Sequence, residues 1–300
     1  MKKHFLLSIC SLLLILALIS CNNSNQPKDR VYFVTSNLPL AFIIREITGD
    51  SASVVSIMSP GESEHTFSPS PNDIKTLSDA KGVFYVSEHL DGWSVNLNRK
   101  DKYSLLDILP KEILLNYSHS HSDESNHSNS EESVDPHFWL DPIAVKAIVP
   151  ELANILSRLN KIDSTKYLQN AEVLIQKLNS INSELQTMLQ SYKGRSVMLF
   201  HPSFLYFLKR YELNYAGAIE ESPGKEPTAR FLKELIDKVK QSEIRTLYIE
   251  PQLPDKSIKP VLESAGLKFL TLDPLGGYPG RDNYFDLIRF NARNIIKGFN

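Results

Sequence analysis

Three histidines and one aspartate are the side chains in this sequence best suited to chemistry. His65 lies in Pro60-Gly-Glu-Ser-Glu-His-Thr-Phe-Ser-Pro-Ser-Pro71, His137 in Asp135-Pro-His-Phe-Trp-Leu-Asp-Pro142 and His201 in Phe200-His-Pro-Ser-Phe204. Asp273 lies in Thr271-Leu-Asp-Pro-Leu-Gly-Gly277. Each reads as sitting at a strand end or in a tight proline-flanked turn. Imidazole nitrogens with one carboxylate oxygen suit a borderline cation such as Zn²⁺ in four-coordination. Taken singly, each histidine is as readily a structural or helix-capping residue; the four groups together are harder to read that way. A zinc hydrolase would keep one position open for water and carry a nearby base. The HExxH pattern is absent, and four protein ligands leave no such position, which speaks against a hydrolase.

The other five of the eight histidines fall elsewhere. His4 belongs to the N-terminal leader. His89 follows a strand beside Glu88, at what reads as a helix start, and is expected to be structural or exposed. His119, His121 and His127 lie in Ser118–Ser133, a serine, histidine and acid stretch without an apolar residue. Such a stretch cannot join a core and reads as a mobile loop, either featureless or an auxiliary weak metal trap.

Short apolar runs alternate with helical spacing on both sides of mid-chain. Strands are predicted at Val31–Ser36, Ser53–Met58, Gly82–Ser87, Ser196–Phe200, Leu213–Ile219, Thr246–Ile249 and Leu267–Leu272, and helices at Leu38–Ile47, Pro71–Ala80, Glu226–Gln241 and Asp282–Lys297. This alternation implies βαβ units and a mostly parallel sheet in each half. From Asp163 to Tyr192 there is neither Gly nor Pro, and leucines and isoleucines recur at helical spacing. A continuous helix there would run about 45 Å and act as a rigid strut between two α/β lobes. The expected division is a leader at 1–20, a leash at 21–29, lobes at 30–160 and 194–300, and a linking helix at 161–193. Ligands of open α/β sheets bind beyond the carboxyl ends of the strands, so the four groups would meet in the interlobe cleft.

Composition narrows the class further. Hydrophobic residues make up 42% of the 300 and charged residues 23%, figures of a globular chain. A net charge of −2 argues against a nucleic-acid partner. The two cysteines, Cys10 and Cys21, both precede the body, which excludes a disulfide framework and a cysteine nucleophile. Lys2-Lys3 followed by an apolar run to Ile19 has the form of a secretory leader, too short for a spanning helix.

Leu18-Ile19-Ser20-Cys21 resembles the bacterial lipoprotein signal, which implies lipid on Cys21 and a body tethered outside the cytoplasm. Over nearly the whole remaining chain the sequence resembles the zinc- and manganese-binding lipoproteins of bacterial ABC importers, the cluster A-I solute-binding proteins. The resemblance rests on Gly-x-x-x-His-x-Phe-x-Pro-x-Pro at 61–71, on Asp135–Pro142, on His201-Pro-Ser-Phe, on Tyr248-Ile-Glu-Pro-Gln252 and on Leu272–Gly277. It implies one metal ion held between two lobes by His65, His137, His201 and Asp273, with a water or a glutamate the alternative to Asp273 as the fourth group. Glu250 would then stand behind the ligands, orienting His201 or the cleft. His201 stands where manganese carriers tend to have a glutamate, so zinc is the expected ion, with manganese the alternative. The implied partners are an ABC permease with its ATPase, and a monomer is expected. A surface adhesin is the alternative role.

Overall fold

The predicted strands assemble into two sheets, each flanked by helices. The computed structural model describes residues 31–117, 133–220, 228–241, 244–252, 263 and 266–300. The leader, Cys21 with its leash, and His119, His121 and His127 lie outside the described residues.

In the N-terminal lobe, β1 (Val31–Thr35), β2 (Ala52–Ser56), β3 (Gly82–Tyr85) and β4 (Lys102–Ser104) form a sheet in the order β2-β1-β3-β4. A two-stranded antiparallel ladder follows, β5 (Asn116–Tyr117) with β6 (Ser133–Val134). In the C-terminal lobe, β7 (Ser196–Leu199), β8 (Asn214–Ala218), β9 (Thr246–Ile249) and β10 (Lys268–Thr271) take the order β10-β9-β7-β8. Read from its other edge, that order is β8-β7-β9-β10, so the two sheets share one topology. The β1/β3, β3/β4, β7/β8, β7/β9 and β9/β10 pairs all run parallel. Such sheets are covered on both faces and call for unbroken apolar runs. Phe33, Val34, Val83, Phe84, Val197, Met198 and Leu247 are accordingly buried. In both sheets the winding reverses beside the first strand, between β1 and β3 and between β7 and β9, which is where open α/β sheets take ligands.

The helices among the described residues include α1 (Leu38–Thr48), α2 (Pro71–Asp79), α3 (Pro142–Leu159), α4 (Ser164–Leu189), α5 (Leu205–Arg210), α6 (Ala229–Lys240) and α7 (Tyr284–Phe299). The starts of α1, α2, α3 and α7 are set by side chains that take up otherwise orphaned amides. Asn37 accepts the amide of Leu40, Ser70 and Asp73 cap each other's amides across α2, and Asp141 accepts the amide of Ile143. The sequence pattern above contains neither α3 nor α5. α3 starts on Asp141-Pro142, and its Pro150 obscures the period. The long linking helix is present: its α-helical part has 26 residues, about 39 Å, and 3-10 turns at Lys161–Asp163 and Gln190–Tyr192 extend it at both ends. Tyr167, Ala171, Leu174, Leu178, Ile181, Leu185 and Leu189 form its buried ridge, three or four residues apart, and it packs on α1, α3 and α7.

Residues 32–300 form one compact unit, and specific bonds tie its two lobes together. The Trp139 indole N–H donates to the carbonyl of Pro274 at 2.8 Å, and the Tyr284 hydroxyl donates to the carbonyl of Trp139 at 2.9 Å. Arg210 forks onto Asp141 through Nε and Nη2, at 2.9 and 2.8 Å. Gly277 lies between the lobes at φ +85°. A Cβ there would come within 2.6 Å of Leu38 and 2.7 Å of Pro60, so both its conformation and its surroundings require glycine. Among the described residues no helix is long and apolar enough to cross a membrane.

Candidate metal centre

His65 comes from the loop after β2, a segment pinned by turns. The amide of Ser59 donates to the Glu62 carboxylate, that of Glu62 to the Ser59 carbonyl, and that of Thr66 to the Ser63 carbonyl. His137 does not end a strand of either sheet. It caps a 3-10 turn, Phe138–Leu140, between the small ladder and α3. His201 follows β7 directly, at the winding reversal of the second sheet, with the amide of Ser203 folded back onto its carbonyl.

These three histidines, remote in sequence, converge. Nε2 of His65 lies 3.2 Å from Nε2 of His137 and 3.0 Å from Nε2 of His201. Among the described residues they form the group of metal-type ligand atoms lying within 4.8 Å of one another. Four ligands at 2.0–2.1 Å around a tetrahedral zinc would place nitrogen atoms about 3.3 Å apart, close to the spacing seen.

The other ring nitrogens decide the protonation. His137 Nδ1 faces Asp135 Oδ1 at 2.7 Å, and the same oxygen accepts the His137 amide at 3.0 Å. His201 Nδ1 faces the carbonyl of Glu220 at 3.3 Å. Facing an oxygen acceptor, each of these nitrogens carries the proton, which leaves Nε2 with a lone pair. His65 can put a proton between itself and at most one of the two. One lone pair therefore faces another in a buried site unless a cation lies between them. Burial, together with the neighbouring His137 and His201 rings, pushes the His65 pKa down, so the site disfavours meeting this need with a proton.

Buried carboxylates surround the cluster. Glu64 Oε1 lies 3.8 Å from His137 Nε2, and that oxygen has no hydrogen-bond partner. Burial raises its carboxyl above the usual range, and His137 opposes that shift. Glu250 is raised well above the usual range, first by burial and then by Glu64, with the hydroxyl of Ser203 donating to its Oε1 in the opposite sense. Ser203 belongs to the turn that carries His201, so Glu250 braces that turn. A divalent cation at the Nε2 atoms would favour the ionised forms of these carboxyls, opposing the effect of burial.

Asp273 is not brought into the group. It follows β10 and is fully buried, and both its oxygens are taken. Oδ1 accepts the amides of Leu275 and Gly276, at 3.0 and 2.9 Å, and Gln252 Nε2 at 3.1 Å; Oδ2 accepts Arg281 Nη1 at 2.8 Å. His89 is exposed, in a turn rather than a helix. Two contributors escaped the sequence reading. Asp135 sits two residues before His137 in a motif already singled out, where an acidic residue can accept the ring N–H; Glu64 is the immediate neighbour of His65.

The sequence profile of the family described as zinc-uptake complex component A, periplasmic, matches residues 33–298. The chain is 27% identical over 307 residues to the zinc-binding lipoprotein AdcA of Streptococcus pneumoniae, covering 98% of this chain. It spans about 60% of the length of that relative. A putative metal-binding protein of Thermotoga maritima is 30% identical over 98% of both chains. Among solved structures, the Zn(II)-bound form of a variant of AdcAII from Streptococcus pneumoniae superposes with a TM-score of 0.76 at 25% identity, covering 91% of this chain and all of that one.

Proposed function

The chain belongs to the family of zinc-uptake complex component A proteins, and from that membership we propose that it captures one Zn²⁺ ion outside the cytoplasm and delivers it to an ABC permease. The observation that carries this reading is the convergence of three Nε2 atoms at 3.0–3.2 Å, two of them with the opposite ring nitrogen committed to an oxygen. His65, His137 and His201 would hold the ion. Glu64, with its unpartnered oxygen, is the carboxylate best placed to complete four-coordination. Three imidazoles favour zinc over manganese, which prefers oxygen donors and more of them.

The cargo is held by groups the protein positions and is not activated for chemistry, so no catalytic role is assigned. Retention at the membrane through lipid on Cys21 is part of the proposal. It is supported by the Ser20-Cys21 signal and by the description of the AdcA relative as a lipoprotein. A membrane-anchored body and a permease partner would keep the captured ion close to its point of entry.

Calorimetric titration of metal-free protein tests the reading. Zinc is expected to bind one tight site per chain, and His65→Ala, His137→Ala or His201→Ala each to weaken it at least a hundredfold. Manganese is expected to bind far more weakly. Manganese binding as tightly as zinc, or any of the three variants being neutral, would overturn the assignment.

A further inference from the structure

Asp273 follows β10 in the C-terminal lobe and is not among the converging ligand atoms. Gln252 Nε2 donates to its Oδ1 at 3.1 Å, two residues on from Glu250, whose own carboxylate accepts the hydroxyl of Ser203 in the turn that carries His201. Two backbone amides and Gln252 occupy Oδ1, while among the described residues the partner of Oδ2 is Arg281 Nη1 at 2.8 Å. The Asp273 backbone is fixed as well. Its amide donates to Asn291 Oδ1, and its carbonyl accepts Asn291 Nδ2, both at 2.8 Å. The residue is therefore anchored by its main chain, and among the described residues Arg281 is the charged group bonded to its side chain.

Arg281 is itself held by soft contacts. Its guanidinium carbon lies 4.7 Å from the ring centre of Tyr278 and 4.4 Å from that of Phe290. Its Nε is buried without a hydrogen-bond partner, an energetically poor arrangement for a guanidinium. Beside it lies a cavity of about 340 Å³ lined by Glu250, Pro251, Thr271, Tyr278 and Phe290 among others. Among the described residues the guanidinium thus has Asp273 as its hydrogen-bonded partner, with open space next to it.

We infer that Arg281 is a specificity-determining residue, holding the Asp273 carboxylate out of the coordination sphere so that the site stays a three-imidazole site selective for zinc. The inference rests on the metal-binding reading above. A harder ion such as Mn²⁺ gains most from an added carboxylate oxygen and a higher coordination number. To recruit Asp273, that ion would have to displace a bound cation of like charge. Arg281 is a positioning residue in this scheme: it touches the carboxylate and not the ion.

The test compares zinc and manganese dissociation constants by competition titration, with manganese also followed by its electron paramagnetic resonance signal on binding. Arg281→Gln is expected to tighten manganese binding at least tenfold while changing zinc by less than about threefold. Arg281→Lys, which keeps the charge beside Asp273, should stay near wild type. Adding Asp273→Asn to Arg281→Gln should return manganese to its original weakness. A general loosening of the loop would weaken both ions and would not be reversed by the second change. If Arg281→Gln does not fold, Asp273→Asn alone decides the matter. That residue stands outside the cluster, so zinc affinity should hold within about threefold, and a tenfold loss would show the carboxylate already coordinating. An unchanged zinc-to-manganese ratio in folded Arg281→Gln would also overturn the inference. Failure of the wild-type protein to bind zinc at all would instead overturn the function proposed for the site.

Discussion

Removing the carboxylate behind His137 should cost metal affinity without touching a ligand. Asp135 Oδ1 accepts both the ring Nδ1–H at 2.7 Å and the backbone amide at 3.0 Å, and Asp135 and His137 are each only 3% exposed. The carboxylate thus fixes the tautomer, the ring plane and the electron density on Nε2. In Asp135→Ala the ring can rotate, and a buried N–H loses a charged acceptor, an interaction worth about 1.5–3 kcal/mol. If most of that loss appears in the loaded state, zinc binding weakens roughly 10- to 100-fold, since 1.4 kcal/mol is a factor of ten. Asp135→Asn keeps an oxygen at the Oδ1 position but removes the charge. It also places an amide NH₂ where Oδ2 now stands buried and without a partner, so a loss of about tenfold is expected. The assay is competition with a chromophoric chelator at pH 7.5, with thermal melting of the metal-free proteins as the control for folding. The double variant Asp135→Ala/His137→Ala should bind zinc no more weakly than His137→Ala alone, because the carboxylate acts only through that ring. Zinc affinity within twofold of wild type in well-folded Asp135→Ala would refute the argument.

Burial pushes the Asp91 carboxyl up to about 7, so between about pH 4 and pH 7 the native state holds a proton that the unfolded chain has released. Its contribution to stability is full below about pH 4 and is lost as pH rises through 7; Asp91→Asn should make the urea midpoint of the metal-free protein less dependent on pH across that window, and an unaltered slope would count against it. His65 has the opposite sign: its lowered pKa means the unfolded chain takes the proton first, so the metal-free protein should lose stability as pH falls below about 6.5, and His65→Gln should lessen that loss in the same measurement. Gly277→Ala meets Leu38 and Pro60 at a left-handed backbone, and should destabilise the protein by about 1–3 kcal/mol, read as a lower melting temperature; a neutral result would show that the interlobe contact can relax.

The two-lobed architecture was legible because parallel strands buried on both faces leave continuous apolar runs that no solvent-facing strand would carry. Val83, Phe84, Met198 and Leu247 belong to such runs. α3 was missed because a proline inside it breaks the helical period, and α5, with six residues, because it is too short to establish one. Among the candidate site residues, the histidines stood out by type and flanking prolines. Asp273 stood out for the same reasons, and nothing in its local sequence announces that Arg281, eight residues on, would occupy its carboxylate. Glu64 and Asp135 lay within quoted motifs, but their relevance depends on which way each side chain points. That is set by packing between lobes rather than by neighbours in sequence.

The three converging histidines are far apart along the chain: 72 positions separate His65 from His137, and 136 separate His65 from His201. No short stretch of the polypeptide carries even two of them, so a partly made or partly unfolded chain cannot offer this site. Capture of the ion and completion of the tertiary structure are then one thermodynamic event. Every unfolding of a loaded molecule must discharge its cargo, and free zinc raises the melting temperature logarithmically with its concentration above the dissociation constant. At about 100 times that constant the added stability is about 2.7 kcal/mol. Loaded and empty copies of the same protein would thus differ in lifetime under heat or proteolysis, and their persistence would record how much metal the surroundings supply.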